Sequence, residues 1–222
     1  MLPVISNLLS RILPGRDTIA ARPSIVTEQA RPALQAVGIN EFLSLDIPAR
    51  EMLLAPVLPE RSLAMLYAPR GLGKSWLALS IGLAVACGAP LLRWSAPRQR
   101  NVLFIDGEMP LVSLQERLRA ISGPFGTDIP NDGFRILAAD KIDGGINLSS
   151  EAGQCSLEPL LEDVDLLILD NLSTLASTTS ESASDAWVPI QNWLLKLRRQ
   201  GIAVLLVHYA GTRQRGTSRR ED

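Results

Sequence analysis

The segment Ala68-Pro69-Arg70-Gly71-Leu72-Gly73-Lys74-Ser75 carries the plainest chemistry in the chain. It follows the phosphate-loop pattern G-x-x-x-x-G-K-[ST], the one departure being Ala68 in place of the first glycine. Glycines at such positions let the backbone curl until successive N–H groups point at phosphate oxygens. A helix starting near Lys74 adds the positive end of its dipole. Lys74 then reaches the β- and γ-phosphates as a point charge, and the Ser75 hydroxyl ligates Mg²⁺. The candidate binding segment for a nucleoside triphosphate thus runs through Ala68, Pro69, Arg70, Gly71, Leu72, Gly73, Lys74, Ser75 and Trp76. Ala68 is small and fits if its φ is negative; a left-handed requirement there would strain it. Trp76 and Trp94 are expected to pack in or beside the core.

Carboxylates complete such a site. Asp170 ends the apolar run Leu166–Leu169, the Walker B pattern. At the C-terminal edge of a parallel sheet it faces the ligand crevice, where it can hold a Mg²⁺ water. Asp106-Gly107-Glu108 closes an earlier apolar run. Gly107 permits a sharp turn there. Glu108 then projects over the sheet edge and polarises the water that attacks the γ-phosphate. Asp106 and Glu108 stand two apart, so only one is expected to face the nucleotide, and Glu108 is the choice. His208, the only histidine, closes the run Ile202–Val207. It can sense the γ-phosphate by a hydrogen bond or simply be a satisfied edge residue.

The elements around these residues read as alternating short strands and helices, the signature of an α/β fold with a mostly parallel sheet. Strands are expected at Ser62–Tyr67, Asn101–Asp106, Phe134–Ala138, Val164–Asp170 and Ile202–His208. A helix at Lys74–Cys87 is apolar on nearly all faces, hence buried, and is closed by Gly88. A second, Leu111–Ile121, puts Leu111, Leu114, Leu118 and Ile121 on one face. A third runs from about Ala186 to Gln200. Residues 171–184 read as a Ser/Thr-rich loop. Residues 36–60 read as a lead-in, with a short helix near Asn40–Ser44 and then a stretch punctuated by Pro48, Pro56 and Pro59. Residues 1–14 have helical apolar spacing, read as a short amphipathic packing or docking helix, and 15–35 read as a linker or extended arm.

Composition sets the outer limits. The chain has 222 residues, 46% hydrophobic and 20% charged, with a net charge of −1. It can bury a core and is not wholly disordered. Bulk charge alone does not grip nucleic acid. Cys87 and Cys155 are too few for a disulfide framework or a Cys-rich zinc site. The apolar run Trp76–Ala89 is too short for a membrane span, and the first residues lack a signal peptide's basic start. A cytoplasmic location without membrane contact is the expectation.

Taken together, the GKS loop, the Glu108 turn, Leu169-Asp170-Asn171 and the His-tipped strand resemble the RecA-like P-loop ATPases. Within them the chain is most similar to the AAA_25 / RepA-like branch, whose namesake is a hexameric replicative helicase of plasmids. Leu58-Pro59, Gly145-Ile146-Asn147-Leu148 and Gln214-Arg215-Gly216-Thr217-Ser218 belong to the same resemblance. It covers about residues 40–222, taken as the ATPase domain after an N-terminal segment 1–39. The resemblance implies ATP and Mg²⁺ as ligands and a homo-oligomeric ring with an arginine finger from the neighbour, which no residue here identifies. It also implies a strand order: the His208 strand between the P-loop and Asp170 strands, and the Glu108 strand beyond Asp170. Cores of this kind usually continue past such a strand, so the domain is expected to be incomplete at its C-terminus.

The resemblance further implies that the loops after the Asp170 and His208 strands face single-stranded DNA. The second holds Arg213, Arg215, Arg219 and Arg220 against Glu221 and Asp222. Arginine suits phosphate contact. A nucleic-acid loop and a solvated tail both fit these residues. Three functions compete: a DNA-dependent motor or helicase-type ATPase in replication of a plasmid or mobile element, a nucleotide-switch ATPase that does not translocate, and a small-molecule P-loop kinase. Glu108 with His208 counts against the kinase.

Overall fold

The computed structural model describes residues 36–126, 129–142, 144–176 and 183–209. The chain divides into two units, Met1–Ile47 and Pro48–Asp222. In the first, α1 (Ile39–Ser44) is the short helix expected there, and none of its side chains is buried. The second unit holds all the remaining elements. The expected docking helix at 1–14 and the linker at 15–35 lie outside the described residues.

The Pro-punctuated lead-in is more ordered than its sequence suggests. It forms an antiparallel ribbon of β1 (Met52–Leu54) and β2 (Leu58–Pro59), burying Leu53, Leu54 and Leu58. Strands this short leave no readable alternation. Next come β3 (Leu63–Ala68) and α2 (Lys74–Cys87). Helix α2 ends on Gly88, whose φ of 62° is the left-handed C-cap that glycine adopts without strain. A second small ribbon pairs β4 (Pro90–Leu91) with β5 (Trp94–Ser95). Then follow β6 (Val102–Asp106), α3 (Leu111–Ser122), β7 (Phe134–Ala138), α4 (Glu151–Leu157) and β8 (Leu166–Asp170). The chain continues through α5 (Leu172–Leu175) and α6 (Ala183–Gln200) to β9 (Ala203–Tyr209).

The main sheet has the order β3-β9-β8-β6-β7, and every pairing in it is parallel. This is the order expected from the resemblance. Strand alternation splits the core in two. Val102 and Phe104, Leu166 and Ile168, and Ala203, Leu205 and Val207 pack on one face with α2. Leu103 and Ile105, Leu167 and Leu169, and Val204 and Leu206 pack on the other with α4, α5 and α6. Helix α2 approaches closely because residue 82 is glycine: a Cβ there would lie 3.1 Å from Ile168 Cδ1 and against the Phe134 ring. The buried character expected of α2 is confirmed at Ala78, Leu79, Ile81, Leu83, Ala84 and Val85.

The presumed loop 171–184 begins as a helix. Asn171 caps α5, its side-chain oxygen accepting from Thr174 N at 3.2 Å, and Leu172 and Leu175 are buried. The Gly145–Leu148 segment runs beneath it. Ile146 and Leu148 enter the same core, and Leu148 N donates to Leu175 O at 2.7 Å. Two apolar residues among Ser and Thr are a weak signal in sequence, and only this underlying segment gives them something to bury against.

Candidate functional site

The phosphate loop joins β3 to α2 at the C-terminal rim of the sheet. Gly71 and Gly73 have φ of 82° and 78°, a conformation closed to most side chains, so both glycines are required by the backbone. Ala68 is not among the residues of positive φ, so the departure from the loop pattern costs no strain. Lys74 is 94% buried, and its ammonium donates to the Ala68 carbonyl at 2.8 Å and the Pro69 carbonyl at 2.7 Å. Leu72 and Trp76 are exposed. Trp76 therefore departs from its expected place in the core. Its ring carries the Arg117 guanidinium at 5.3 Å instead. Trp94 packs against the α2-side core as expected.

Alternation carries Asp106 and Asp170 to the same face as α2, and the two are direct register neighbours. Both are almost fully buried. A cleft of about 280 Å³ opens there, lined by Ser75, Asp106, Glu108, Arg117, Asp170 and Tyr209 among others. Asp170 Oδ2 is buried with no hydrogen-bond partner. Burial pushes the Asp170 carboxyl up to about 6, with the Ser75 hydroxyl beside it pulling the other way and the Asp106 and Glu108 charges adding to the rise. A buried, unpartnered carboxylate oxygen next to a serine hydroxyl is the donor set that Mg²⁺ uses when phosphate and water complete its shell. Among the described residues no group of three or more His, Cys, Asp or Glu could hold a metal alone.

Asp106 builds the turn. Its Oδ1 accepts from Glu108 N at 3.0 Å and from Met109 N. Burial raises its carboxyl, and those two N–H groups lower it. Gly107 is needed for a different reason from the one the sequence suggests. Its φ is not positive; a Cβ there would lie 2.9 Å from Leu175 and against Thr174. Helix α5 packs directly on the turn and so fixes Glu108.

Glu108 is held by two groups the sequence did not single out. Asn171 Nδ2 donates to Glu108 Oε2, and the Tyr209 hydroxyl donates to the same oxygen at 2.8 Å. Asn171 Nδ2 also donates to the Tyr209 oxygen at 3.1 Å. With its own oxygen capping α5, Asn171 spends its whole side chain joining α5, Glu108 and β9. The Tyr209 ring lies under two cations, the Lys74 ammonium and the Arg70 guanidinium, each 4.5 Å from its centroid. Burial and the Glu108 carboxylate push the Tyr209 phenol up to about 12, so it stays a donor.

The structure thus brings together Arg70, Lys74, Ser75, Glu108 and Asp170, with Asn171, Arg117 and Tyr209 added. It does not bring in His208. That ring lies on the opposite face of β9, stacked 6.0 Å from Tyr67, with Nδ1 3.4 Å from Ser173 Oγ. The strand-tip residue facing the loop is Tyr209, one position later. Arg213, Arg215, Arg219 and Arg220 lie outside the described residues.

The family model described as an AAA domain, AAA_25, matches residues 28–215. The chain belongs to the AAA_25 family. Among solved structures it is similar to the flagellar accessory protein FlaH from Methanocaldococcus jannaschii, with a TM-score of 0.50 and 9% identity over 68% of this chain. At that identity the likeness bears on the fold alone. The chain spans 62% of the length of FlaH. No curated protein matches it. This AAA_25 protein has the RecA-like P-loop ATPase fold, and no helix among its described residues is long and apolar enough to cross a membrane.

Proposed function

We propose that this AAA_25 protein binds Mg·ATP at the rim of β3, β8 and β6 and hydrolyses it. The observation that carries the reading is the convergence, in one cleft, of Ser75, the unpartnered Asp170 oxygen and the turn-mounted Glu108, beside the phosphate loop that holds buried Lys74. Loop N–H groups and Lys74 hold the β- and γ-phosphates. Ser75 and Asp170 hold Mg²⁺, which when bound neutralises charge building on the phosphate oxygens. Glu108 accepts a hydrogen bond from the attacking water and aligns it with the γ-phosphorus. Asp106 and Gly107 fix Glu108, and Asn171 orients its carboxylate. Arg117 offsets the negative charge of Asp106 and Asp170.

We extend this to a DNA-dependent, ring-forming motor, on the family resemblance and on the arginines at positions 213–220. The test is ATP turnover with and without single-stranded DNA, alongside a mass measurement with nucleotide bound. Stimulation by DNA together with assembly supports the motor. Turnover that DNA leaves unchanged, with no DNA binding, replaces it with a nucleotide switch. No turnover under any condition removes the hydrolytic reading.

A further inference from the structure

Tyr209 stands where a bound nucleotide must reach. The terminal phosphate of a nucleotide on this loop has to touch the Lys74 ammonium on one side and lie within one water of Glu108 on the other. In the structure both positions are already engaged by one side chain. The Tyr209 ring lies 4.5 Å from Lys74 Nζ and 4.5 Å from Arg70 Cζ. Its hydroxyl donates to Glu108 Oε2 at 2.8 Å. Lys74 meanwhile is folded onto the carbonyls of its own loop. We propose that Tyr209 is an internal latch: it covers the phosphate-binding cations and engages the catalytic carboxylate, and a triphosphate must displace it.

The chemistry of the exchange is favourable but not free. A cation over a phenol face is a weak contact, whereas a phosphate oxygen gives the same cation a charge-assisted hydrogen bond. Phosphate therefore wins, and the latch subtracts from its affinity by the fraction of molecules in the closed state. Displacement does a second thing. The Tyr209 hydroxyl leaves Glu108 Oε2, while Asn171 still holds the carboxylate from α5. That oxygen then accepts from water instead. One movement thus admits the phosphate and removes one of the two donors on Glu108 Oε2.

This inference rests on reading the cleft as a triphosphate site, and the experiment separates the two. Calorimetry measures the affinity of Mg·AMP-PNP for the wild-type protein and for Lys74→Ala, Tyr209→Phe and Tyr209→Ala, with thermal melts confirming the fold. Removing the latch raises affinity: Tyr209→Ala binds roughly five- to tenfold tighter. Tyr209→Phe keeps the ring over the cations, loses only the hydroxyl, and gains about two- to threefold. Wild-type binding that Lys74→Ala loses, combined with unchanged or weaker binding by the Tyr209 variants, overturns the latch alone. Absence of binding by the wild type overturns the site reading and the latch with it. Should Tyr209→Ala fail to fold, Tyr209→Phe decides: no gain in affinity overturns the latch.

Discussion

The two ends of the same sheet treat charge in opposite ways. At the N-terminal rim, Arg100 bonds Asp165 at 3.1 Å and also pairs with Glu51, while Lys196 pairs with Glu158 on the neighbouring helices. At the C-terminal rim, Asp106, Glu108 and Asp170 crowd together, and among the described residues none forms an ion pair. Asp170 keeps a bare oxygen and a carboxyl raised to about 6. Both rims terminate the same strands, so the backbone does not force the difference. A charge left unmatched inside a protein costs stability and persists where a ligand supplies the missing partner. The contrast separates a rim whose charges are paired from a rim whose carboxylates are left without ion-pair partners among the described residues.

Substitutions at each rim test that contrast. The largest effect is expected from Glu108→Gln, which keeps the site's shape and removes its charge. Turnover should fall by about 10²–10⁴-fold while nucleotide affinity is retained, measured by phosphate release against calorimetry. Normal turnover sinks the assignment of Glu108. Lys74→Ala comes next, with affinity for Mg·ATP falling roughly 10–100-fold as charged hydrogen bonds to phosphate are lost.

The third test has the opposite sign. Asp170 titrates at about 6 in the folded protein, above its unfolded value of 3.8. The folded state therefore holds the extra proton between these values, and stability falls as pH rises through that window, then levels off. Asp170→Asn should stabilise the nucleotide-free protein at neutral pH, by up to about 3 kcal/mol, and flatten its stability between pH 4 and 6. It should also lose Mg²⁺-dependent turnover. Destabilisation by this change would show that the carboxylate serves the fold instead. At the other rim, Arg100→Ala should cost about 1–2 kcal/mol in urea unfolding and leave turnover unchanged. Lys196→Ala, at a half-exposed pair, should shift neither the melting temperature nor the activity.

The fold was largely legible in advance, since buried parallel strands read as short apolar runs and α2 as an apolar helix. The ribbons β1–β2 and β4–β5, and the one-turn α5, were not, because elements of two to four residues carry no period. Within the site, the loop is visible because fixed spacings along one strand-to-helix turn define it, and Asp170 and Glu108 because each closes an apolar run. Asn171 follows Asp170 in plain view. Its role emerges only once α5 brings Glu108 and Tyr209 to its amide.

His208 and Tyr209 mark the boundary between the two kinds of knowledge. The sequence by itself determined that a polar residue closes the last apolar run, that a phosphate loop precedes an apolar helix, and that carboxylates end two further strands. It could not determine which of two adjacent residues faces the loop. A strand presents successive side chains to opposite faces, and which face meets α2 depends on how the whole sheet packs. Tertiary structure decided that Tyr209 lies under Lys74 and Arg70 while His208 stacks on Tyr67 behind the sheet.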